Sequence, residues 1–388
     1  MSICLKNCKF IVTQDANRQI LENQDILIKE NKIVRIGSNL KGAKQIDCSQ
    51  SVVIPGLINL HTHTGMYHLR GLSDDLPYKQ WWEQVIWPAE HKMTPQDKHV
   101  AAKAAIKEML QTGTTCFVDM YEEMEAVADA AKEQGIRAVL AYGIIDINNE
   151  EKAKIEWQRT EDLLKYINEL NCSRIKFAVG PHTPFTCSQQ SLLKSQEFAQ
   201  KHNALVHIHL SEDKRNEFPE RLIQSNVIAA HCCHLSDGDI QLFAERGANI
   251  AHCPRSNMKL ASGILPLKKL LAAGICVGLG TDSTVSNNNL DMFEEMHFAA
   301  LLQKVHFKDA TAATAQMLLD MATINGAKAA QIDAGSIEPG KLADLVLLDA
   351  DHFLMQPSEK ERIVSHLVYS ANGSCVQTVI IDGKLVQL

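Results

Sequence analysis

Eight short apolar runs, each followed by a stretch of helical length, constrain this chain more than any other feature. They are Val52–Leu60, Thr115–Asp119, Ala138–Gly143, Ile175–Gly180, Leu205–Leu210, Val227–His231, Ala248–His252 and Cys276–Asp282. Runs rich in Val, Ile and Ala predict strands buried on both faces, and such strands joined by crossover helices make a parallel sheet. Eight units of this kind predict an α/β fold closed into a (β/α)8 TIM-like barrel. A doubly wound sheet competes, but no glycine-rich phosphate loop follows the first strand.

The two ends follow another rhythm. Ile3–Ile11, Asp25–Lys29 and Lys32–Ile36 read as short strands, and Ala343–Leu348, Gln377–Ile381 and Leu385–Leu388 repeat the style, with Asp382-Gly383 as a hairpin turn. Pairing of the ends predicts a small discontinuous β-sandwich, residues 1–50 plus 335–388, beside a barrel spanning 51–334. A chain of 388 residues, 45% of them hydrophobic, can bury a core for both.

Lys and Arg total 39 against 46 Asp and Glu, a net charge of -7. This balance offers no electrostatic footprint for a nucleic acid or an anionic membrane, so the expected partner is a small-molecule substrate. No stretch approaches the ~20 apolar residues of a membrane span, and no apolar run follows a basic start at the N-terminus. A cytoplasmic protein, working as a homo-oligomer, is expected. The 11 cysteines, an odd number scattered through apparent strands, predict reduced and buried thiols rather than a disulfide frame.

In a barrel of this type the chemistry sits at the C-terminal ends of the strands. Strand one ends in His61-Thr62-His63, strand four in Gly180-Pro181-His182, strand five in His207-Ile208-His209 with Glu212 beyond, strand six in His231, and strand eight in Thr281-Asp282. Any one of these histidines alone is more often a hydrogen-bonded structural residue than a ligand. Together, imidazoles and one carboxylate predict a cage for a single divalent metal, Zn2+ or Fe2+, with a position left for water. Side chains two apart share a face, so spacing puts His61 with His63 but cannot separate His207 from His209. His234 and His252 read as structural. Asp282 has a plainer alternative role as a turn cap.

The run Val53-Ile54-Pro55-Gly56-Leu57-Ile58-Asn59-Leu60-His61-Thr62-His63 resembles the first-strand signature of the amidohydrolase superfamily. Leu69-Arg70-Gly71-Leu72-Ser73-Asp74-Asp75-Leu76-Pro77 and Trp81 narrow the likeness to the branch holding 5′-methylthioadenosine/S-adenosylhomocysteine deaminases. Gly180-Pro181-His182-Thr183-Pro184, His209-Leu210-Ser211-Glu212, Ser256-Asn257-Met258-Lys259-Leu260, Gly280-Thr281-Asp282 with Ser286-Asn287-Asn288, and Gly340-Lys341-Leu342-Ala343-Asp344-Leu345 continue it along nearly the whole chain.

The resemblance implies a metal-dependent hydrolytic deaminase releasing ammonia from C6 of an adenine nucleoside. It makes His61, His63, His209 and Asp282 the metal ligands, in preference to His207. It makes Glu212 and His231 catalytic beside Asp282, Glu90 a ribose contact, and His182 part of the substrate pocket. Another aminated ring, such as guanine, a pterin or a triazine, is the alternative substrate class. A binuclear cyclic-amide hydrolase would need a bridging lysine at the end of strand four; Gly180-Pro181-His182 stands there, and Lys176 lies near the strand's start. The relatives acting on S-adenosylhomocysteine carry an arginine at the end of strand three, where this chain has Ala141-Tyr142-Gly143. A small or apolar 5′ group is therefore expected.

Overall fold

The computed structural model describes residues 2–77, 80–215 and 217–388. In chain order the strands are β1 (Ser2–Val12), β2 (Ile20–Lys29), β3 (Lys32–Gly37), β4 (Lys44–Asp47), β5 (Ser51–Pro55), β6 (Leu57–Thr62), β7 (Thr114–Tyr121) and β8 (Arg137–Ile144). They continue with β9 (Ile175–Pro181), β10 (Leu205–Leu210), β11 (Val227–His231), β12 (Asn249–His252), β13 (Cys276–Leu279), β14 (Leu345–Asp349), β15 (Val376–Ile381) and β16 (Lys384–Val386).

Strands β6 to β13 stand side by side in sequence order, every pair parallel. The ring closes beyond β13, where the Asp282 N–H donates to the His61 carbonyl at 2.9 Å. Next to that bond, Asn59 Nδ2 donates to Thr281 Oγ1 (2.7 Å) and the Thr281 N–H to Asn59 Oδ1 (3.0 Å). Alternation along β7 shows how the layers arise. Cys116, Val118 and Met120 join an inner cluster with Leu60, Val139, Ala141, Ala178, Ala230 and Ala251. Phe117 turns outward to the helix-packed cluster with Leu140, Val206, Ile250 and Phe243. Each large aliphatic or aromatic side chain so buried contributes about 1.5–3 kcal/mol, which is why unbroken apolar runs make barrel strands. The helices between them start on legible signals: Thr94 and Asp97 form a capping box for helix Pro95–Gln111, and Ser236 and Asp239 one for Asp237–Arg246.

The second sheet runs β16-β15-β14-β5-β1-β2-β3, with β4 alongside β1. It draws on both ends of the chain. One face folds over itself around Leu5, Ile11, Ile26, Ile28, Ile33, Val53, Leu345, Leu347 and Ile380, as a sandwich requires. Val52, Ile54, Val346, Leu348, Val379 and Ile381 point the other way and join the core beneath the barrel helices.

The run expected as the first barrel strand, Val52–Leu60, is two strands in two sheets. β5 pairs with β14 and β1, and β6 with β7. Gly56 is the crossing point: its N–H donates to the Asp344 carbonyl at 2.9 Å, and a Cβ there would fall 2.0 Å from Thr115 Oγ1. β4 carried no signal, because its four residues, Lys44-Gln45-Ile46-Asp47, are mostly exposed and polar. Helix Ile363–Tyr369, between β14 and β15, was likewise not anticipated. All 11 cysteines are free thiols, nine of them buried, as their scatter implied.

Candidate active site

The order of hydrogen bonds behind the histidines decides what they present in front. His207 Nδ1 lies 3.1 Å from the Ile228 carbonyl, which can only accept, so Nδ1 carries the proton and His207 Nε2 is an acceptor. His61 Nδ1, 2.8 Å from that Nε2, must then be the donor. The proton relay leaves His61 Nε2 bare, and this nitrogen is fully buried with no hydrogen-bond partner. The same logic applies twice more: His209 Nδ1 faces the His182 carbonyl at 2.9 Å, and His63 Nδ1 the Met120 carbonyl at 2.5 Å. Three Nε2 atoms are thereby aimed inward. Those of His63 and His209 are 3.2 Å apart, and Asp282 Oδ1 lies 3.3 Å from His63 Nε2 and 3.6 Å from His61 Nε2.

Asp282 is itself held in place. Its Oδ2 accepts from Ser256 Oγ (2.6 Å) and Ser286 Oγ (2.8 Å), and Oδ1 from the Ser283 N–H (2.7 Å). Burial pushes its pKa up, but the adjacent His63 more than offsets this and holds the carboxyl well below the usual range. The reciprocal effect lifts His63 to about 9 despite its burial. The pocket demands a positive charge at this point. A proton on His63 meets the demand in the protein alone, and a divalent cation meets it by replacing that proton. Burial keeps His61 and His209 neutral, their pKa well below normal, which is the state a ligand needs. The donor set and the orphaned His61 nitrogen fit a divalent metal, and the chain can offer His61, His63 and Asp282, or His61, His209 and His231, with all ligand atoms of each group within 4.8 Å.

Around this centre stand the proton-handling groups. His231 Nδ1 is 2.9 Å from Asn257 Oδ1, and its Nε2 is 4.0 Å from Glu212 Oε2. Burial raises the Glu212 pKa above the usual carboxylate value, with the neighbouring His231 acting in the opposite sense. Glu212 also lines a cavity of about 310 Å³ with Leu260 and Ser262, and accepts from Ser262 Oγ at 3.3 Å. Ser211, His231 and Asp282 all have left-handed backbones, with φ of 50°, 71° and 60°. Non-glycine residues in that region cost about 1–3 kcal/mol each, and such strain collects where side chains must be aimed.

The connection from Thr64 to about Thr94, which holds three of the four tryptophans, covers the mouth; its residues 78 and 79 lie outside the described residues. Trp81 and Ile86 pack against Met66 and Val285, and Lys259 ties Asp74 to Asn288 and to the Val285 carbonyl. Glu90 ends this segment, not as a solvated helix-end carboxylate but with Oε1 accepting from the Tyr121 hydroxyl at 2.5 Å. His182 sits behind His209, its Nδ1 2.9 Å from Thr186 Oγ1. His234 is anchored on the Ser262 carbonyl at 2.6 Å, while His252 is buried with neither ring nitrogen bonded.

The eight residues expected at the site thus converge on one barrel mouth. Not foreseen were the part of His207 in setting the His61 tautomer and those of Ser256, Asn257 and Ser286 in orienting Asp282 and His231. The last three lay within recognised motifs, but no spacing rule links them to their partners.

A closed parallel barrel with inward histidines and a buried carboxylate at its C-terminal mouth defines a metal-dependent hydrolase class. The chain belongs to the amidohydrolase family, whose model matches residues 52–386. It is 45% identical to a 5-methylthioadenosine/S-adenosylhomocysteine deaminase of Thermococcus sibiricus, over 100% of this chain and 94% of that protein. It is 44% identical to a 5′-deoxyadenosine deaminase of Methanocaldococcus jannaschii, over 94% of this chain and 91% of that one. Among solved structures, a zinc-bound adenosine deaminase from Xanthomonas campestris superposes with a TM-score of 0.92 at 32% identity, covering 99% of this chain and 92% of the other. No helix among the described residues is long and apolar enough to cross a membrane.

Proposed function

We propose that this chain is a hydrolytic deaminase releasing ammonia from C6 of an adenine nucleoside, with Zn2+ in the histidine cage. The observation that carries the reading is the pair of inward imidazole nitrogens of His61 and His63 set against Asp282, with His209 Nε2 3.2 Å from that of His63, beside a half-buried carboxyl, Glu212. Relatives of nearly the same length, 44–45% identical and named as a 5-methylthioadenosine/S-adenosylhomocysteine deaminase and a 5′-deoxyadenosine deaminase, support the substrate class.

His61, His63, His209 and Asp282 would hold the ion, and Fe2+ is the other metal this donor set accepts. When bound, the ion supplies Lewis acidity and water acidified towards neutral pH. Glu212, whose pKa is raised by burial, donates a proton to ring nitrogen N1 and so removes the aromatic resistance as C6 becomes tetrahedral. His231, held by Asn257, presents Nε2 to the oxygen arriving at C6. Asp282, ionised, takes the proton that oxygen sheds; passed to the exocyclic amine, it lets the C6–N bond break with ammonia as the leaving group. Glu90 has its second carboxylate oxygen available for the ribose hydroxyls, and His182 borders the pocket.

The 5′ group is small or apolar in this reading. Strand β8 offers no guanidinium at its end, and Arg215, after β10, lies over the Phe185 ring and is paired with Asp213. A homocysteine carboxylate would meet a cation already neutralised. Ammonia release across methylthioadenosine, 5′-deoxyadenosine, adenosine and S-adenosylhomocysteine tests this, with the first three expected to lead. A kcat/KM tenfold higher for the homocysteine conjugate overturns the tail argument, and turnover of none moves the reaction to another aminated ring.

The reading extends to a cytoplasmic homo-oligomer. Phe298, Leu301 and Val305, exposed and spaced i, i+3, i+7 on helix Met292–Phe307, give an apolar face that supports self-association, measurable by light scattering.

A further inference from the structure

Glu295 is a completely buried carboxyl on helix Met292–Phe307, outside the group that faces the barrel mouth. Its Oε1 accepts from Asn287 Nδ2 at 2.5 Å, and the same nitrogen donates to the Thr281 carbonyl at 2.7 Å. Both hydrogens of that amide are therefore committed to tying the loop after β13 to the helix. Its Oε2 receives the Arg255 backbone N–H at 3.5 Å. Asn287 directly follows Ser286, and Arg255 directly precedes Ser256, the two serines whose hydroxyls bond Asp282 Oδ2.

One buried carboxyl thus anchors both chain segments that orient Asp282, whose left-handed backbone (φ 60°) has no intrinsic preference for its position. We propose that Glu295 is a positioning residue, fixing the Asp282 carboxylate through Asn287–Ser286 on one side and Arg255–Ser256 on the other, so that cation affinity and turnover depend on it although it touches neither. The inference rests on Asp282 being a ligand of the divalent cation.

The test measures Zn2+ affinity of the metal-stripped full-length protein by competition with a chromogenic chelator, alongside kcat and KM. Glu295→Leu, close in volume but unable to accept a hydrogen bond, is expected to weaken Zn2+ binding at least tenfold and to lower kcat with little change in KM. Ser256→Ala combined with Ser286→Ala should reproduce that loss, and adding Glu295→Leu to the pair should weaken binding less than twofold further, because all three act through one path. Full additivity of the losses, or unaltered Zn2+ affinity in Glu295→Leu, overturns the proposal.

Should Glu295→Leu fail to fold, Glu295→Gln serves instead. It keeps an acceptor for Asn287 but turns a donor towards the Arg255 N–H, so its loss should be non-additive with Ser256→Ala and additive with Ser286→Ala; the reverse pattern overturns the proposal. Asp282→Ala is the control. If it binds Zn2+ normally the ligand assignment fails, whereas its loss of Zn2+ beside a normal Glu295 variant fails the positioning role alone.

Discussion

Protonation of single ring nitrogens sets the chemistry of the site. The carbonyls of Ile228, His182 and Met120 dictate, directly or through His207, which face of each imidazole is bare. Removal of one such ring leaves an incomplete cage, so His61→Ala or His209→Ala should lose both metal and activity, checked by metal analysis and ammonia release. Two metals per chain, or full turnover by metal-free protein, would contradict the mononuclear site. Glu212→Gln tests a different function: the amide keeps the shape but cannot donate and regain a proton, so metal content should hold while kcat falls ~10²–10⁴-fold. Burial raises the Glu212 pKa, so with Glu212 as the proton donor activity is expected to fall as pH rises through its titration. The residual activity of Glu212→Gln should lack this alkaline limb in kcat/KM, since nothing titrates there. Loss of metal from that variant would instead make Glu212 a ligand. The histidines gathered at the barrel mouth were legible in the sequence because strand-end position is a one-dimensional property. His207 was not separable from His209 by spacing, since both share a face; their depth in the barrel and their different partners distinguish them.

Strands and turns carry the next level of constraint. Gly56 joins two strands of different sheets at a point where a Cβ would meet Thr115 Oγ1 at 2.0 Å and Cγ2 at 2.4 Å. Gly56→Ala should therefore destabilise by about 1–3 kcal/mol, the usual range for overpacking, read from urea unfolding. Thr115→Ala in the same background should restore part of that loss, because it removes the two closest atoms and leaves only Thr115 Cβ, at 2.7 Å; no recovery would mean that Oγ1 and Cγ2 do not set the need for glycine. Barrel strands were readable as apolar runs because burial on both faces removes polar alternation. The sheet switch at Gly56 was hidden, since Val52–Leu60 is apolar but for Asn59 and buried throughout, and pattern cannot say which sheet a buried strand joins. The exposed polar β4 was hidden for the opposite reason.

Across the whole molecule, the two sheets are locked by Arg137 at the start of β8. It is 5% exposed and donates to Asp344 at 2.6 and 3.1 Å and to Asp382 at 2.9 Å. Arg137→Met would strand the buried Asp344 without its cation, a change that typically costs about 3–5 kcal/mol, while kcat per folded molecule should stay near normal because the cluster is remote from the barrel mouth. Burial raises the Asp382 pKa, but Arg137 more than offsets this and lowers it. Its contribution is therefore complete above the unfolded carboxylate pKa of about 4 and lost as pH falls through the lower folded value. Stability of the Arg137→Met protein should fall less steeply with acid than that of the wild type. Parallel acid-unfolding curves would show that the pair contributes no linkage.

The eight-stranded barrel and the residues at its strand ends follow from the sequence alone, because each depends on local periodicity or position along one strand. Partnerships between distant segments were decided only in three dimensions: Arg137 with Asp344 and Asp382, His61 with His207, and Ser256 and Ser286 on one carboxylate oxygen. Folding brings all of these but Ser286, four residues from Asp282, to partners 26 to 245 residues away, and a hydrogen bond depends on ångström-scale proximity that no periodicity in the chain encodes.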